Sequence, residues 1–356
     1  METIVLTGGG TAGHVTPNLA LIPKLKEFGF DVEYIGTKNG MEREIIEGIG
    51  IPYHIVSAGK FRRYFSIKNM IDPFKIVAGV LKAECILTRI KPAAVFSKGG
   101  FVSVPVVIAA SRLGIPVVLH ESDYTPGLAN KICIPRASKV CVAFKSTLDC
   151  VPKGKGVYTG LPIRKELLQG DRQKGLKICG FKGYNPVLLI MGGSLGAKAL
   201  NDTVDNIIPE LLKRFDVVHI RGRHNMLDGV MPEGYRQFGY VDKELSDIYA
   251  AADIMISRAG ATAVFEILAL SLPALLVPLP KTSSRGDQLL NADYFKRQGF
   301  SYVLEQEKIT DITLLEKINQ LYEDKDMLRS RIKQENIADA AGNVARIIAD
   351  ARATRA

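Results

Sequence analysis

The 356-residue chain has no tryptophan, and it has no apolar run that approaches the roughly 20 residues needed to cross a bilayer. Its cysteines are few and odd in number, with no Cys-x-x-Cys pair: Cys85, Cys133, Cys141, Cys150 and Cys179. That spacing argues against a zinc site or a disulfide framework and indicates buried thiols in a reducing compartment. The first residues also lack the basic and apolar regions of a signal peptide, so we expect a cytoplasmic protein.

Two nucleotide-binding signatures are missing as well. No glycine loop matches the phosphate-binding pattern GxxxxGK[ST], which argues against ATP or GTP hydrolysis. Gly8, Gly10 and Gly13 match G-x-G-x-x-G, but the second predicted strand, residues 32–35, is followed by Gly36 rather than by an acid that could hold a ribose. This argues against a nicotinamide dinucleotide.

What the sequence does contain is a glycine loop joining a strand to a helix. Residues 4–6 read as a strand, and the seven residues Gly8-Gly9-Gly10-Thr11-Ala12-Gly13-His14 follow it. Apolar residues at helical spacing come next, with Thr16 as the predicted cap and Pro17 in the first turn. Glycines let a ligand approach the backbone, and a helix N-terminus attracts anions. The loop therefore predicts a site for a phosphate group.

The whole chain alternates strands and helices, and the pattern occurs twice. The first half has further predicted strands at residues 94–97, 116–119 and 140–143, and the second half at residues 187–190, 217–220, 254–256 and 274–277. Further glycine loops follow two of these strands, at Lys98-Gly99-Gly100 and at Gly192-Gly193-Ser194-Leu195-Gly196. We predict an α/β protein of two doubly wound, Rossmann-like domains that face a deep cleft. The chain crosses between them near residues 160–164, and residues 325–356 read as helical.

Positive charge is concentrated in the first half of the chain. Residues 1–163 hold 20 lysines and arginines against 12 acidic residues, and the remainder is nearly balanced. The excess indicates an anionic partner, either a phosphorylated substrate or an anionic membrane surface. No nucleic-acid motif is present, so we expect no nucleic acid.

One basic stretch suggests contact with a membrane. Between Lys60 and Lys98 there are nine basic residues and two acids, and a helix is predicted from Asp72 to about Arg89. In this stretch an apolar stripe is flanked by lysines: Ile71, Phe74, Val77, Ala78 and Leu81, with Lys68, Lys75 and Lys82. The pattern fits an interfacial helix on anionic lipid, but a stripe that packs on the protein core would look the same.

Several motifs occur in an order that resembles the MurG family, the UDP-N-acetylglucosamine:undecaprenyl-diphospho-muramoylpentapeptide N-acetylglucosaminyltransferases of peptidoglycan synthesis. The motifs are Gly8–His14 with Pro17, Lys98-Gly99-Gly100-Phe101, His120-Glu121, Gly160-Leu161-Pro162-Ile163-Arg164, Gly192–Ala197 with Asn201, and Ser257-Arg258-Ala259-Gly260 through Glu266. The resemblance implies a GT-B fold and inverting transfer of N-acetylglucosamine from UDP-N-acetylglucosamine to the C4 hydroxyl of muramoyl-pentapeptide on undecaprenyl diphosphate, which converts lipid I to lipid II.

The resemblance also implies which domain binds which substrate and where in the cell the enzyme works. Residues 1–163 would form an acceptor-binding, membrane-facing domain, with a helix of about residues 339–356 packing back on it. Residues 164–338 would bind the UDP-sugar donor. The enzyme would work as a peripheral protein on the cytoplasmic face of the cell membrane.

Individual site residues follow from the same resemblance. Donor contacts are expected from Gly193, Ser194 and Arg164 at the diphosphate, Glu266 at the ribose, Val241, Ala261 and Thr262 at the uracil, and Gln288 at the sugar. The N-terminal domain would contact substrate through Thr11, Ala12, Gly13 and Asp123. No metal or cofactor is expected, because a helix N-terminus with Arg164 can take the place of a cation.

His14 is the natural candidate for the general base, because histidine titrates in the required range. It could instead only position a phosphate or the loop, and Glu121 and Asp123 are rival bases. Many family members read His-Glu-Gln-Asn where this chain reads His120-Glu121-Ser122-Asp123. An acid therefore replaces the amide at residue 123.

Three other functions fit the same pattern. A related glycosyltransferase could act on another lipid, such as diacylglycerol. A UDP-N-acetylglucosamine 2-epimerase shares the fold and would turn over without an acceptor. A nucleotide-sugar binding module would have no activity.

Overall fold

The computed structural model describes residues 1–59, 68–192, 197–282, 285–335 and 339–352, with only the backbone for residue 12 and residues 68–73. The chain divides into two compact units, residues 1–164 with 337–356, and residues 165–336. In the described ranges, no helix is both long enough and apolar enough to cross a bilayer.

The first unit is built on a seven-stranded parallel sheet. Its elements are β1 (Thr3–Thr7), α1 (Thr16–Glu27), β2 (Asp31–Gly36), α2 (Met41–Gly48), β3 (Tyr53–Ile55), α3 (Lys68–Ile90), β4 (Ala94–Ser97), α4 (Ser103–Arg112), β5 (Val117–Glu121), α5 (Leu128–Cys133), β6 (Lys139–Val142) and β7 (Gly156–Tyr158). The strand order is β3-β2-β1-β4-β5-β6-β7. Short 3-10 helices cover Ala12–His14, Ile134–Arg136 and Lys145–Cys150.

The second unit repeats the plan with six parallel strands. It begins with a 3-10 helix at Lys165–Gln169 and contains α6 (Arg172–Cys179), β8 (Val187–Met191), α7 (Lys198–Leu211), β9 (Asp216–Ile220), β10 (Tyr235–Phe238), α8 (Leu245–Ala251), β11 (Ile254–Ser257), α9 (Ala261–Ala269), β12 (Ala274–Leu276), α10 (Asp287–Arg297), β13 (Ser301–Val303), a 3-10 helix at Gln306–Lys308, α11 (Asp311–Glu323) and α12 (Lys325–Gln334). The strand order is β10-β9-β8-β11-β12-β13. The predicted pair of doubly wound parallel sheets is confirmed.

Both sheets are covered by helices, which explains why their central strands are runs of apolar, β-branched residues. One face of the first sheet packs on α3 and α4. The other face packs on α1 and on the last described helix, α13 (Ala340–Arg352), whose Val344, Ala345 and Ile348 are buried against Leu6 and Phe96. The last described helix is therefore part of the core of the first unit.

Two predicted helix starts are wrong. Helix α3 begins at Lys68, so Asp72 and Pro73 lie inside it; a proline at the sixth position removes one backbone hydrogen bond, which a 23-residue helix tolerates. Thr16 is the first residue of α1 and not its cap. The amides of the first turn instead donate to the carbonyl of Val15, which follows the 3-10 turn.

Candidate active site

Three loops meet at the carboxyl edge of the first sheet, because β1, β4 and β5 are neighbours in it. The Gly8–His14 loop follows β1, and the Lys98-Gly99-Gly100 loop follows β4. The two loops touch at Gly100, which has φ +82°; a Cβ there would lie 2.4 Å from the carbonyl oxygen of Gly9 and 3.1 Å from Cδ2 of His14. Only glycine fits this position, and it lets the imidazole of His14 lie against the second loop.

His14 ends the 3-10 turn Ala12–His14, and its amide donates to the carbonyl of Thr11 at 3.1 Å. Thr11 is exposed, and Gly13 and His14 are half-buried. Of the predicted contacts of this loop, Thr11 and Gly13 are therefore open to a ligand, and the side chain of Ala12 lies outside the described part of the structure. One amide of the loop is not open to a ligand, since Gly10 N–H donates to the carboxylate of Glu42 at 3.3 Å.

Glu121, one of the alternative candidates for the base, is hydrogen-bonded to the loop that follows it. Its Oε1 accepts the amides of Ser122 and Asp123 at 2.8 and 2.9 Å. Its Oε2 accepts the amide of Gly127 at 3.0 Å and Nδ2 of Asn130 at 2.8 Å. Four hydrogen bonds from its own loop therefore engage both carboxylate oxygens of this buried side chain.

Lys98 contributes a buried cation to the same loop. Its side chain is only 1% exposed, and Nζ donates to the hydroxyl of Ser122. Burial lowers the pKa of Lys98 to about 8, and the nearby charges of Glu121 and Asp123 partly oppose that shift. The acid at residue 123 therefore lies near a buried ammonium group.

His120, the neighbour of Glu121 in β5, links this loop to the segment that leads to Arg164. Its Nε2–H donates to the carbonyl of Gly160 at 2.9 Å. Burial, together with the charge of Lys98, lowers the pKa of His120 to about 3, so the ring is neutral near pH 7. Leu161 and Pro162 are buried. Arg164 is half-buried, and it is the last residue of the range 1–164 that belongs to the first unit.

In the second unit the predicted donor loop lies between β8 and α7. Gly193 and Ser194 fall outside the described residues. The start of α7 is fixed by Asn201. Its Nδ2 donates to the carbonyl of Arg221 at 3.0 Å, and its Oδ1 lies 3.0 Å from Nε2 of His219. Burial, with the charge of Arg221, lowers the pKa of His219 to about 3, so this histidine is a neutral structural residue.

The remaining donor residues cluster around α9. Glu266 is buried on this helix, and its Oε2 accepts the hydroxyl of Tyr249 at 3.1 Å. Gly260 precedes the helix, and a Cβ there would lie 3.9 Å from Nε2 of Gln288, at the start of α10. The Oε1 of Gln288 accepts the amide of Leu279 at 3.0 Å, so this side chain is held in place.

Three further predicted contacts lie in the second unit. Ala261 and Val241 are buried, and Thr262 is half-buried in the first turn of α9. Ala261, Thr262, Glu266 and Gln288 are thus brought together by α9 and α10. The roles of these residues toward a ligand stay predictions.

Metal-ligating side chains are not clustered in the part of the chain that the structure describes: no group of three or more His, Cys, Asp or Glu could hold an ion there. The chain has one Asp-x-Asp tripeptide, Asp324-Lys325-Asp326. It lies where α11 meets α12, and Asp324 accepts the hydroxyl of Tyr302 at 2.6 Å. A reaction without metal stays a prediction.

Sequence reasoning missed three residues of these networks. Tyr249 carries no motif and reads as an apolar position of a helix. Lys98 was seen only as part of a glycine loop. Glu42 reads as a surface residue of α2, although Gly36 and Gly40, which both precede it, indicate that a bulky side chain lies nearby.

Comparison with known proteins agrees with this architecture. Residues 4–142 match the glycosyltransferase family 28 N-terminal domain, and residues 187–346 match the glycosyltransferase family 28 C-terminal domain. The structure resembles the crystal structure of Acinetobacter baumannii MurG with a TM-score of 0.75 and 26% identity, over 98% of this chain and 100% of that one. It also resembles the glycosyltransferase of kitacinnamycin, with a TM-score of 0.76 at 16% identity over 98% and 97% of the chains, which supports the fold alone.

Two curated relatives match almost end to end. One from Lachnoclostridium phytofermentans is 52% identical over 99% of both chains, and one from Clostridium tetani is 52% identical over 98% of this chain and 97% of its own. Both are named UDP-N-acetylglucosamine--N-acetylmuramyl-(pentapeptide) pyrophosphoryl-undecaprenol N-acetylglucosamine transferase. The chain therefore belongs to glycosyltransferase family 28 and, within it, to the MurG family, with the GT-B fold.

Proposed function

We propose that this chain is an inverting glycosyltransferase that moves N-acetylglucosamine from UDP-N-acetylglucosamine to the C4 hydroxyl of the muramoyl-pentapeptide of lipid I, and so forms lipid II in peptidoglycan synthesis. The observation that carries this proposal is the 52% identity to transferases of that name over nearly the whole chain. The site residues support it, because each unit has glycine-containing loops at the carboxyl edge of its sheet.

On the donor side, we place UDP on the second unit. Glu266, held by Tyr249, would accept the ribose hydroxyls, and Gln288 would meet the sugar. The loop before α7 and Arg164 would hold the diphosphate. Charge at a helix N-terminus is worth about 0.3–2 kcal/mol, and it matters more as negative charge develops on the leaving UDP.

On the acceptor side, the C4 hydroxyl attacks the anomeric carbon from the face opposite UDP. The new bond forms as the bond between that carbon and the diphosphate oxygen breaks, and a base takes the hydroxyl proton. His14 is the base that we propose. Glu121 is disfavoured by its four hydrogen bonds, and Asp123 is the remaining rival.

We also propose that α3 docks on the anionic surface of the cell membrane. Phe74, Val77 and Leu81 are 76%, 60% and 58% exposed, while Val80 and Ala83 on another face of the helix are buried in the core. Four residues of the predicted stripe, Phe74, Val77, Ala78 and Leu81, are therefore exposed to solvent, whereas the side chains of Ile71 and Lys68 lie outside the described residues. The exposed Lys75 and Lys82 flank it, as expected for a helix lying in a membrane interface.

Sedimentation with vesicles containing anionic lipid tests this surface. Lys75→Glu with Lys82→Glu should reduce binding, and added salt should do the same for the wild type. Lys174→Glu with Lys177→Glu, a pair of exposed lysines on α6, is the matched control and should bind normally. The proposal would be contradicted if added salt left wild-type binding unchanged and the Lys75→Glu, Lys82→Glu variant bound as well as wild type.

The choice of acceptor tests the reaction. Radiolabelled UDP-N-acetylglucosamine is incubated with lipid I, with diacylglycerol, or with neither. We expect label in lipid only with lipid I. Transfer to diacylglycerol would make this a different lipid glycosyltransferase, and release of an epimerised sugar without acceptor would make it an epimerase.

Two substitutions test the assigned roles. His14→Ala should lower kcat far more than it changes UDP affinity, and a kcat within a few-fold of wild type would remove His14 as the base. Arg164→Ala should weaken UDP binding measured by calorimetry. Unchanged affinity would remove Arg164 from the donor site.

A further inference from the structure

A fully buried carboxylate lies beneath the first glycine loop. Glu42 is in the first turn of α2, and its side chain has no exposed surface. Its Oε2 accepts the amide of Gly10 at 3.3 Å, and its Oε1 accepts the amide and the hydroxyl of Thr37 at 3.2 and 2.6 Å. A buried carboxylate is costly unless it is hydrogen-bonded. These three donors compensate that cost and tie α2 to the loop.

Glycines make room for this side chain. A Cβ at Gly9 would lie 2.5 Å from Cδ of Glu42, and one at Gly40 would lie 2.0 Å from its Oε1. A Cβ at Gly36 would lie 2.1 Å from the hydroxyl oxygen of Tyr53 and 3.1 Å from Cγ of Glu42. The glycines come from the loop, from the end of β2 and from the residue before α2. No larger residue fits at Gly9 or Gly40 while Glu42 keeps its place.

The same loop is held from β2. The hydroxyl of Tyr34 donates to the carbonyl of Gly8 at 2.7 Å, and Nδ2 of Asn18 donates to that hydroxyl at 3.0 Å. Burial, with the charge of Glu42, raises the pKa of Tyr34, so the hydroxyl keeps the proton that it donates. The loop is therefore held at Gly8 by Tyr34 and at Gly10 by Glu42, four residues before His14.

We infer that Glu42 is a positioning residue for the transfer reaction: through the amide of Gly10 it fixes the Gly8–His14 loop and so places His14 against Gly100. The inference rests on the proposed function, in which His14 is the base. It changes the expected role of the glycine loop. The amide of Gly10 donates its hydrogen bond to the Glu42 carboxylate and is not available to a phosphate. This part of the loop therefore orients the side chain of His14.

Glu42→Gln is the sharpest test, because it keeps the shape and removes one acceptor. The two backbone amides of Gly10 and Thr37 use different carboxylate oxygens, and an amide side chain has only one oxygen. Whichever way the glutamine is turned, one backbone N–H faces an NH₂ group. Glu44→Gln on the same helix is the matched control, since Glu44 is exposed.

We expect Glu42→Gln to lower kcat about 10- to 100-fold, the size of effect that a misplacement of about 1 Å produces. The KM for UDP-N-acetylglucosamine and the calorimetric affinity for UDP should stay within about twofold of wild type, because the donor is proposed to bind the other unit. Glu44→Gln should leave all three values unchanged. Hydrogen exchange should become faster in peptides covering residues 8–14, while β5 stays protected.

Several outcomes would overturn the inference. A kcat of Glu42→Gln equal to wild type would do so, as would exchange that accelerates equally in the loop and in β5, which indicates a general loss of stability. If Glu42→Gln does not fold, Thr37→Val is the second test, because it removes only the hydroxyl that donates to Glu42 at 2.6 Å. It should lower kcat several-fold and leave the KM for the donor unchanged. An unchanged kcat in this variant would overturn the inference. If the wild type transfers no sugar, the proposed function fails, and the exchange of residues 8–14 still decides whether Glu42 holds the loop.

Discussion

Replacing Lys98 with methionine should stabilise the protein near pH 7, although it removes a hydrogen bond. The ammonium group is buried, and burial lowers its pKa from 10.5 to about 8. That shift corresponds to about 3 kcal/mol of unfavourable free energy for keeping the charge in the folded state at pH 7. Loss of the bond to Ser122 costs about 1 kcal/mol. We therefore expect Lys98→Met to be more stable than wild type by about 2 kcal/mol.

The stability difference between Lys98→Met and wild type should depend on pH. Between pH 8 and 10.5 the unfolded chain binds the lysine proton and the folded chain does not, so wild-type stability rises with pH in that window. The variant has no such contribution. Its advantage should shrink by about 2 kcal/mol between pH 7 and pH 9.5.

Urea denaturation followed by circular dichroism measures both values, since the chain has no tryptophan for fluorescence. Lys153→Met, at an exposed lysine of the same unit, is the control and should show no pH-dependent difference from wild type. A Lys98→Met variant that is less stable than wild type at pH 7, or a stability difference that does not change with pH, would show that the buried charge does not destabilise the folded protein.

Three further predictions concern the donor site, acid stability and metal. Tyr249→Phe should weaken UDP binding about fivefold in calorimetry, because Glu266 loses a partner worth about 1 kcal/mol; Tyr302→Phe, which likewise removes a hydrogen bond from a tyrosine to a carboxylate, that of Asp324, should not. Stability should fall as pH drops from 6.5 toward 3, because His120 and His219 are neutral when folded and take up protons when unfolded; replacing His219 with glutamine should flatten that slope in denaturation measured at pH 7 and pH 4.5. Treatment with EDTA should leave transfer activity intact, and a loss that magnesium restores would count against a metal-free reaction.

The strands that sequence analysis did not predict are β3, β7, β10 and β13, and all four lie at the edges of their sheets. An edge strand is short and partly exposed, so it lacks the continuous apolar run that marks the central strands. Arg236 and Gln237 in β10 illustrate this, since they interrupt the apolar pattern. The central strands were predictable because both of their faces are buried.

The buried charges were not predictable for a different reason. Lys98 and Glu42 read as surface residues, because charged side chains are rarely buried without partners. Their partners come from elsewhere in the chain: Ser122 lies 24 residues from Lys98, and Gly10 lies 32 residues from Glu42. A single sequence contains no local signal for such pairs.

Helix α3 shows the limit of periodicity. Its apolar residues form one stripe that packs on the core, with Val80 and Ala83, and another that faces solvent, with Phe74, Val77 and Leu81. Both stripes have helical spacing, so the pattern alone does not say which one is buried. The fold decides this by packing α3 against α4.

The linkage in the reaction product separates the proposed transfer from its alternatives. The wild-type protein is incubated with UDP-N-acetylglucosamine and lipid I, and the disaccharide released from the lipid is analysed by NMR. The proposed function requires N-acetylglucosamine joined to C4 of the muramoyl sugar, with the anomeric configuration opposite to that in the donor. A product with the donor's configuration retained, a bond to another hydroxyl, or no disaccharide at all would contradict it.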